Sequence, residues 1–412
     1  MRVLLVVHGF PPTSMGGTEI YTHDLARALH AHGRDDIFVL AREADPRKAE
    51  YAIRTENRDG IHVTFVNNTF RACRSLEETY RNPPIRTIAA RMLDEIRPDV
   101  VHVQHLTCLS TDIVSECAAR RIPTIFTLND YWLICHRGQL FNVEYERCEG
   151  PYPHGCSTCT SASASESQRD SALRLEHMRE MCAKVDRFLA PSRTLQQRFL
   201  TFGIEPHRMT LQQQGINQAG FARVARTSDE RLRIAFMGSL IVSKAPHVLI
   251  EAFDGLPGGT ASLHLFGAYA PYHGDDRYQQ TLTGALTRGG HGCGPVSHDR
   301  IPEVLASVDV VVVPSVWIEN APFVIRESFA AGVPVVASNL GGMAEMVTDG
   351  VSGLLFEAGN PNDLRRCLQR LIDEPELLHR LRRSIPPVKT IEDDAAWTRA
   401  IYENADATMS RP

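Results

Sequence analysis

Two glutamates eight residues apart, Glu319 and Glu327, bound the segment Glu319-Asn-Ala-Pro-Phe-Val-Ile-Arg-Glu327. Carboxylates accept hydrogen bonds from sugar hydroxyls, and these two straddle the join between an apolar run and a helical pattern. The preceding run, Asp309-Val-Val-Val-Val-Pro-Ser, has the four valines of a strand buried on both faces. Asn320 suits the cap of the helix that follows, and Pro322, Phe323 and Val324 suit its start. Gly332 and Pro334 end that helix. Glu319 is thereby predicted at the carboxyl end of a parallel strand, where open α/β sheets bind ligands, with Glu327 on the helix beyond. Backbone amides at a helix start suit a phosphate, so the pattern fits a diphosphate flanked by two sugars. Solvated glutamates complementing a helix dipole give the same spacing, and the rest of the chain has to decide.

Short β-rich runs alternate with helical patterns throughout, which predicts parallel sheets with helices on both faces. Predicted strands in the first half are Val3–Val7, Ile37–Ala41, His62–Val66, Val100–Val103, Thr124–Leu128 and Arg187–Ala190. In the second half they are Arg233–Met237, Ser262–Phe266, Asp309–Val313, Val335–Ala337 and Leu354–Phe356. Each half opens alike. Leu4-Leu-Val-Val runs into a loop ending in Gly16-Gly17 and a helix from near Thr18; Ile234-Ala-Phe-Met runs into Gly238-Ser239 and on to Lys244. Gly17 and Gly238 are candidates for close backbone approach to a phosphate or sugar, and Lys244 for neutralising a diphosphate. The expected organisation is α/β: residues 1–215, residues 216–390, and a final segment 391–412 whose helix, with Trp397 and Tyr402 as anchors, returns to the first domain.

Bulk properties narrow the classes. The chain has 412 residues, 43% hydrophobic and 23% charged, with a formal net charge of −5. That is an ordinary globular composition and no nucleic-acid footprint. The N-terminus enters a strand directly, without a signal-peptide pattern, and no apolar run reaches the length of a membrane span. The expected location is cytoplasmic, at the inner membrane face if the basic set Arg71, Arg74, Arg81, Arg86, Arg91 and Arg97 meets anionic lipid. A solvated helix face is the other reading of those arginines.

Together these residues resemble glycosyltransferase family 4, retaining enzymes of the GT-B fold with two doubly wound Rossmann-like domains facing across a cleft. The resemblance rests on Glu-x7-Glu, the Gly-Gly loop, Gly238 to Lys244, Gly341-Gly342-Met-Ala-Glu345, and Asp349-Gly350-Val-Ser-Gly353-Leu-Leu-Phe, all in the family's order. It implies a nucleoside diphosphate sugar, UDP- or GDP-linked, as donor and a glycan or lipid-linked acceptor, with no metal needed for catalysis. It also implies site roles. Glu327 would take the ribose hydroxyls and Glu319 the transferred sugar, while Lys244 would face the leaving diphosphate. Gly17, Gly238, Ser239, Asn320, Pro322, Phe323 and Val324 would line the donor. Two positions depart from the family pattern: Ser239 stands where an arginine is usual, and Asn129 where a histidine touches the donor sugar. An amide hydrogen-bonds a hydroxyl but does not titrate, so Asn129 suits a mechanism in which the leaving phosphate takes the acceptor's proton. The departures keep a non-catalytic nucleotide-sugar-binding scaffold open as an alternative.

Four cysteines, Cys135, Cys148, Cys156 and Cys159, fall in a Gly-, Pro- and Tyr-rich stretch as Cys-x12-Cys-x7-Cys-x2-Cys. The last pair is a good zinc half-site and the first two are irregular, so a structural zinc and four reduced thiols both fit.

Overall fold

The computed structural model describes residues 1–31, 35–151, 156–159, 164–221, 231–289 and 292–409. The chain divides into two compact units. The first comprises Met1–Gly138, Gly150–Asn217 and Lys389–Pro412, the second Gln139–Glu149 and Gln218–Val388.

In the first unit the described strands are β1 (Arg2–Val7), β2 (Asp36–Glu43), β3 (Ile53–Arg58), β4 (Ile61–Asn67), β5 (Val100–Val103), β6 (Thr124–Thr127), β7 (Arg187–Ala190) and β8 (Met209–Leu211). Their order is β3-β4-β2-β1-β5-β6-β7-β8. Neighbours are parallel except β3 with β4. The helices are α1 (Gly17–Ala31), α2 (Pro83–Ile96), α3 (Asp112–Ala119), α4 (Ala164–Cys182) and α5 (Arg193–Phe202). Val3 to Val7 of β1 are wholly buried, as a central strand covered on both faces requires. β3 is absent from the sequence reading because Ile-Arg-Thr-Glu-Asn-Arg is polar. It is an exposed edge strand, joined to β4 by Asp59-Gly60, both with positive φ. That Asp-Gly pair was the available signal.

The C-terminal helix, Ile391–Met409, belongs to this first unit. Its anchor is Asp394, with no exposed surface, which accepts hydrogen bonds from Tyr21, Gln212 and the Gly215 amide and pairs with Lys389. Tyr402 adds a 2.7 Å bond to Nδ1 of buried His102, whose Nε2 lies 2.7 Å from the Thr127 hydroxyl. A Cβ on Gly215 would sit 2.1 Å from the Thr390 carbonyl oxygen, so only glycine lets the returning chain pass.

In the second unit the described strands are β9 (Leu232–Met237), β10 (Ala261–Phe266), β11 (Gly292–Gly294), β12 (Val310–Val313), β13 (Val335–Ser338) and β14 (Gly353–Phe356), parallel in the order β11-β10-β9-β12-β13-β14. The helices are α6 (Pro246–Asp254), α7 (Arg277–Gly289), α8 (Ile301–Ala306), α9 (Phe323–Ala330), α10 (Gly341–Met346), α11 (Pro361–Asp373) and α12 (Pro375–Arg383). Val311 and Val313 of β12 share one core with Ile325 and Phe329 of α9 and Met343 of α10. That core seats the elements on either side of Glu319.

Residues 139–149 leave the first unit and fold with the second. Phe141 stacks with Tyr145 and meets Tyr272 edge-on, the Tyr272 hydroxyl donates to the Phe141 carbonyl at 2.8 Å, and Arg277 donates to the Val143 carbonyl at 2.7 Å. These contacts assign Cys148 to the second unit, while Cys135, Cys156 and Cys159 stay with the first. The four form no disulfide, and among the described residues no group of three or more His, Cys, Asp or Glu is gathered to hold a metal ion. Of the six arginines read as a basic surface, Arg71, Arg81 and Arg86 pair with Glu50, Glu77 and Glu116 respectively, which lowers the charge available to lipid. No helix among the described residues is long and apolar enough to cross a membrane.

Candidate functional site

The loop after β12 carries Glu319 to the carboxyl end of the second unit's sheet. Glu319 is buried, and its Oε1 accepts from Lys244 Nζ at 2.6 Å and from the Ser315 hydroxyl at 2.8 Å. None of the described residues donates to its Oε2. Lys244, about a third exposed at 29%, ends a single 3-10 turn whose exit residue, Ala245, takes a left-handed conformation before α6 begins at Pro246. The Trp317 ring lies 5.9 Å from the same ammonium. Two residues 75 apart in sequence thus form one cation–carboxylate unit with an open carboxylate oxygen.

Glycines set the position of that unit. The Gly342 amide donates to the Glu319 carbonyl at 2.8 Å, and a Cβ on Gly342 would stand 1.4 Å from the Asn320 carbonyl oxygen. Gly341 has φ +55°. The Gly341-Gly342 pair is therefore needed for the start of α10 to press against the Glu319 backbone, a role the sequence reading did not assign. On the other side, Gly238 has φ +140°, and a Cβ on Gly267 would come 1.9 Å from its carbonyl oxygen, so the loops after β9 and β10 touch backbone to backbone.

The helix after Glu319 starts later than expected. Its cap is Pro322, which supplies no side-chain bond, and α9 begins at Phe323; Asn320 lies upstream of the helix instead of capping it. Val324 and Phe323 occupy its first turn, where Phe323 lies under the guanidinium of Arg326. Glu327 projects from α9 with its Oε1 3.4 Å from His298 Nε2 and its side chain 14% exposed. Ser239 is exposed beside Gly238. Arg326 does not replace the missing arginine, because it is buried and donates to the Ala321 carbonyl at 3.1 Å.

In the first unit, Asn129 follows β6. Its amide nitrogen donates to the Gln104 carbonyl at 2.8 Å and its oxygen accepts from Gln214 at 3.0 Å, so both ends are engaged. Asp130 beside it contacts His105 Nε2 at 3.0 Å and accepts from the Trp132 amide at 2.7 Å. Burial opposes its ionisation, yet these partners hold it below the usual carboxylate range. His105 meets His8 ring to ring at 4.5 Å, and His8 Nε2 lies 3.4 Å from Glu19. Burial, then the His105 charge, push His8 down to about 4, so its ring is neutral near pH 7. Glu19 is buried in the first turn of α1 and accepts from Ser14 at 2.6 Å. A Cβ on Gly16 would stand 2.5 Å from Glu19 Oε2, so this glycine makes room for a carboxylate. Gly17 is the first residue of α1.

Comparison with known proteins covers both units. Residues 15–219 match the family Glycosyltransferase Family 4, and residues 221–386 match Glycosyl transferases group 1. The D-inositol 3-phosphate glycosyltransferase of Acidothermus cellulolyticus is 25% identical over 384 residues, covering 87% of this chain and 78% of its own. A glycogen synthase of Mycobacterium tuberculosis is 23% identical, with 100% and 97% covered. Among solved structures, sucrose-phosphate synthase of Thermosynechococcus elongatus superposes with a TM-score of 0.72 at 18% identity, covering 99% of this chain and 100% of that one. HepE of Anabaena in complex with UDP and glucose superposes with a TM-score of 0.64 at 18% identity, covering 99% of each chain. The fold is that of the GT-B glycosyltransferases.

Proposed function

The chain belongs to glycosyltransferase family 4, and we propose that it transfers a hexose from a nucleoside diphosphate sugar to a glycan or lipid-linked acceptor with retention of anomeric configuration. The observation that carries this reading is the Lys244–Glu319 unit, with one glutamate oxygen open at the carboxyl end of a parallel strand. In the proposed reaction the bond from the anomeric carbon to the diphosphate breaks and the acceptor oxygen bonds to the same face. The acceptor's proton passes to the leaving phosphate oxygen. Lys244 offsets the charge that grows on that diphosphate, which favours the transition state over the ground state. Glu319 Oε2 accepts a hydroxyl of the transferred sugar, and Glu327 the ribose hydroxyls. HepE is named with UDP and with UDP-glucose, which makes UDP-sugars the first donors to try, ahead of GDP-sugars.

The engagement of Asn129 by Gln104 and Gln214 supports a positioning role for its amide and is consistent with a mechanism lacking a side-chain base at this place. It also favours the second reading, a nucleotide-sugar-binding protein without transfer activity. Incubating the protein with UDP- and GDP-sugars and an acceptor panel, and reading the product's anomeric configuration, separates these. A retained product supports transfer; an inverted product refutes the proposed chemistry. Nucleotide-sugar binding without any product supports the second reading.

A further inference from the structure

A cavity of about 300 Å³ lies wholly within the first unit, between the loop after β1 and the loop after β2. That volume is at the lower end for small-molecule sites, and the carboxyl ends of adjacent parallel strands are where such sheets bind ligands. Its lining carries Arg42, Lys48 and Arg54 against Glu43 and Asp45, three cations to two carboxylates, leaving one positive charge. The pairing shows which cation is in surplus. Glu43 binds Lys48 at 2.6 Å and Arg54 at 3.1 Å, and Asp45 is held by Arg47 from outside the lining at 3.0 Å. Among the described residues no carboxylate comes within ion-pair distance of Arg42, and nothing accepts from its two terminal amino groups. Its Nε donates to the Asn68 carbonyl at 2.8 Å and its guanidinium packs 5.9 Å from the Phe70 ring, so the fork is fixed in place before any ligand arrives. His8, neutral at pH 7, and Ser14 complete a polar wall beside it.

We infer that this cavity is an oxyanion subsite for the acceptor: Arg42 holds a carboxylate or phosphate carried on a hydroxyl-rich ring. A pre-oriented guanidinium with two open amino groups matches a planar or tetrahedral oxyanion bidentately, which a neutral sugar cannot exploit. Naming the bound molecule as the acceptor rests on the glycosyltransferase reading; the charge preference does not.

The test is calorimetry without donor, at constant ionic strength, with glucose 6-phosphate, glucuronate, inorganic phosphate and glucose as probes. The wild-type protein is expected to bind one of the charged sugars and to bind glucose at least ~10-fold more weakly. Tighter binding of glucose 6-phosphate than of glucuronate assigns phosphate, and the reverse assigns carboxylate. Arg42→Ala is expected to lose ~10-fold or more for the charged sugar, with Arg42→Lys between, while the far-UV circular dichroism and urea-unfolding midpoint of both variants stay near wild type and certify that the first unit is folded. Glucose binding as tightly as its charged derivatives, no binding of any charged probe, or wild-type affinity in folded Arg42→Ala would each overturn the inference. If charged sugars bind through Arg42 but no sugar is ever transferred, the enzymatic reading falls and the subsite stands. If transfer proceeds and no charged sugar binds, the outcome is reversed.

Discussion

Acidification should unfold the first unit well before its carboxylates titrate, and His102 shows by how much. The ring has no exposed surface, both nitrogens face hydroxyls, and burial pushes its pKa down from 6.5 to about 3. The folded value lies below the unfolded one, so the unfolded chain takes up the extra proton between those limits. Stability is complete above pH 6.5 and falls as pH falls. One pKa unit corresponds to ~1.4 kcal/mol, and integrating from neutral pH to pH 5 gives about 2 kcal/mol from this residue alone. His8 and His136 in the same unit are also lowered to about 4, chiefly by burial; being partly exposed, they add smaller amounts. A loss of a few kcal/mol is a large fraction of a domain's ordinary stability. Carboxylates do not confuse this window. Although burial opposes their ionisation, Asp35 and Asp309 are held below 3.8 by their arginine partners, so what they contribute is retained until the pH drops beneath that value. Urea unfolding of the full chain at pH 7.5 and pH 5.0, compared with His102→Gln, measures the effect. The wild type should lose several kcal/mol, and the variant about 2 kcal/mol less. Equal stability at the two pH values, or a loss undiminished in His102→Gln, would refute the reasoning.

Three further variants test close contacts in the second unit. Gly342→Ala places a methyl 1.4 Å from the Asn320 carbonyl oxygen and must displace the Glu319 backbone; transfer should fall by ~10²-fold, with a stability cost of about 1–3 kcal/mol, read by initial rates and urea unfolding. Tyr272→Phe removes the hydrogen bond to the Phe141 carbonyl and should cost about 1 kcal/mol, while Phe141→Ala, losing a buried ring, should cost about 3 kcal/mol and speed proteolysis within residues 139–149.

Much of this architecture was legible in the chain because period and burial agree. Val3–Val7 of β1, Ile234–Met237 of β9 and all of β12 are apolar runs, and each reads as a strand from composition alone. β3 was hidden because its stabilisation comes from an edge hairpin and its half-buried face is charged, with Arg54 paired to Glu56 and Glu43. The site was legible as residue types in order. Its geometry was not: that Lys244 and Glu319 meet depends on loop closures across 75 residues, and that Gly342 must be glycine depends on a carbonyl 22 residues away. The cap assigned to Asn320 failed because the segment before α9 stays extended through Pro322, leaving Asn320 upstream of the helix. The division of the four cysteines between the units was not legible either, since the aromatic contacts of Phe141 and Tyr145 place Cys148 with the second unit. Arg42 carried no sequence signal; an unpaired arginine among paired ones is visible only in three dimensions.

The central claim is that Lys244 and Glu319 work as one unit on the departing diphosphate and the transferred sugar. Its most direct test is to measure UDP-sugar transfer and UDP affinity side by side in Lys244→Ala and Glu319→Gln. Both variants should lose ~10²–10³-fold in kcat, the scale for removing one transition-state partner, with a much smaller change in UDP affinity. Unchanged transfer in either folded variant, or a loss accounted for entirely by weaker UDP binding, would contradict it.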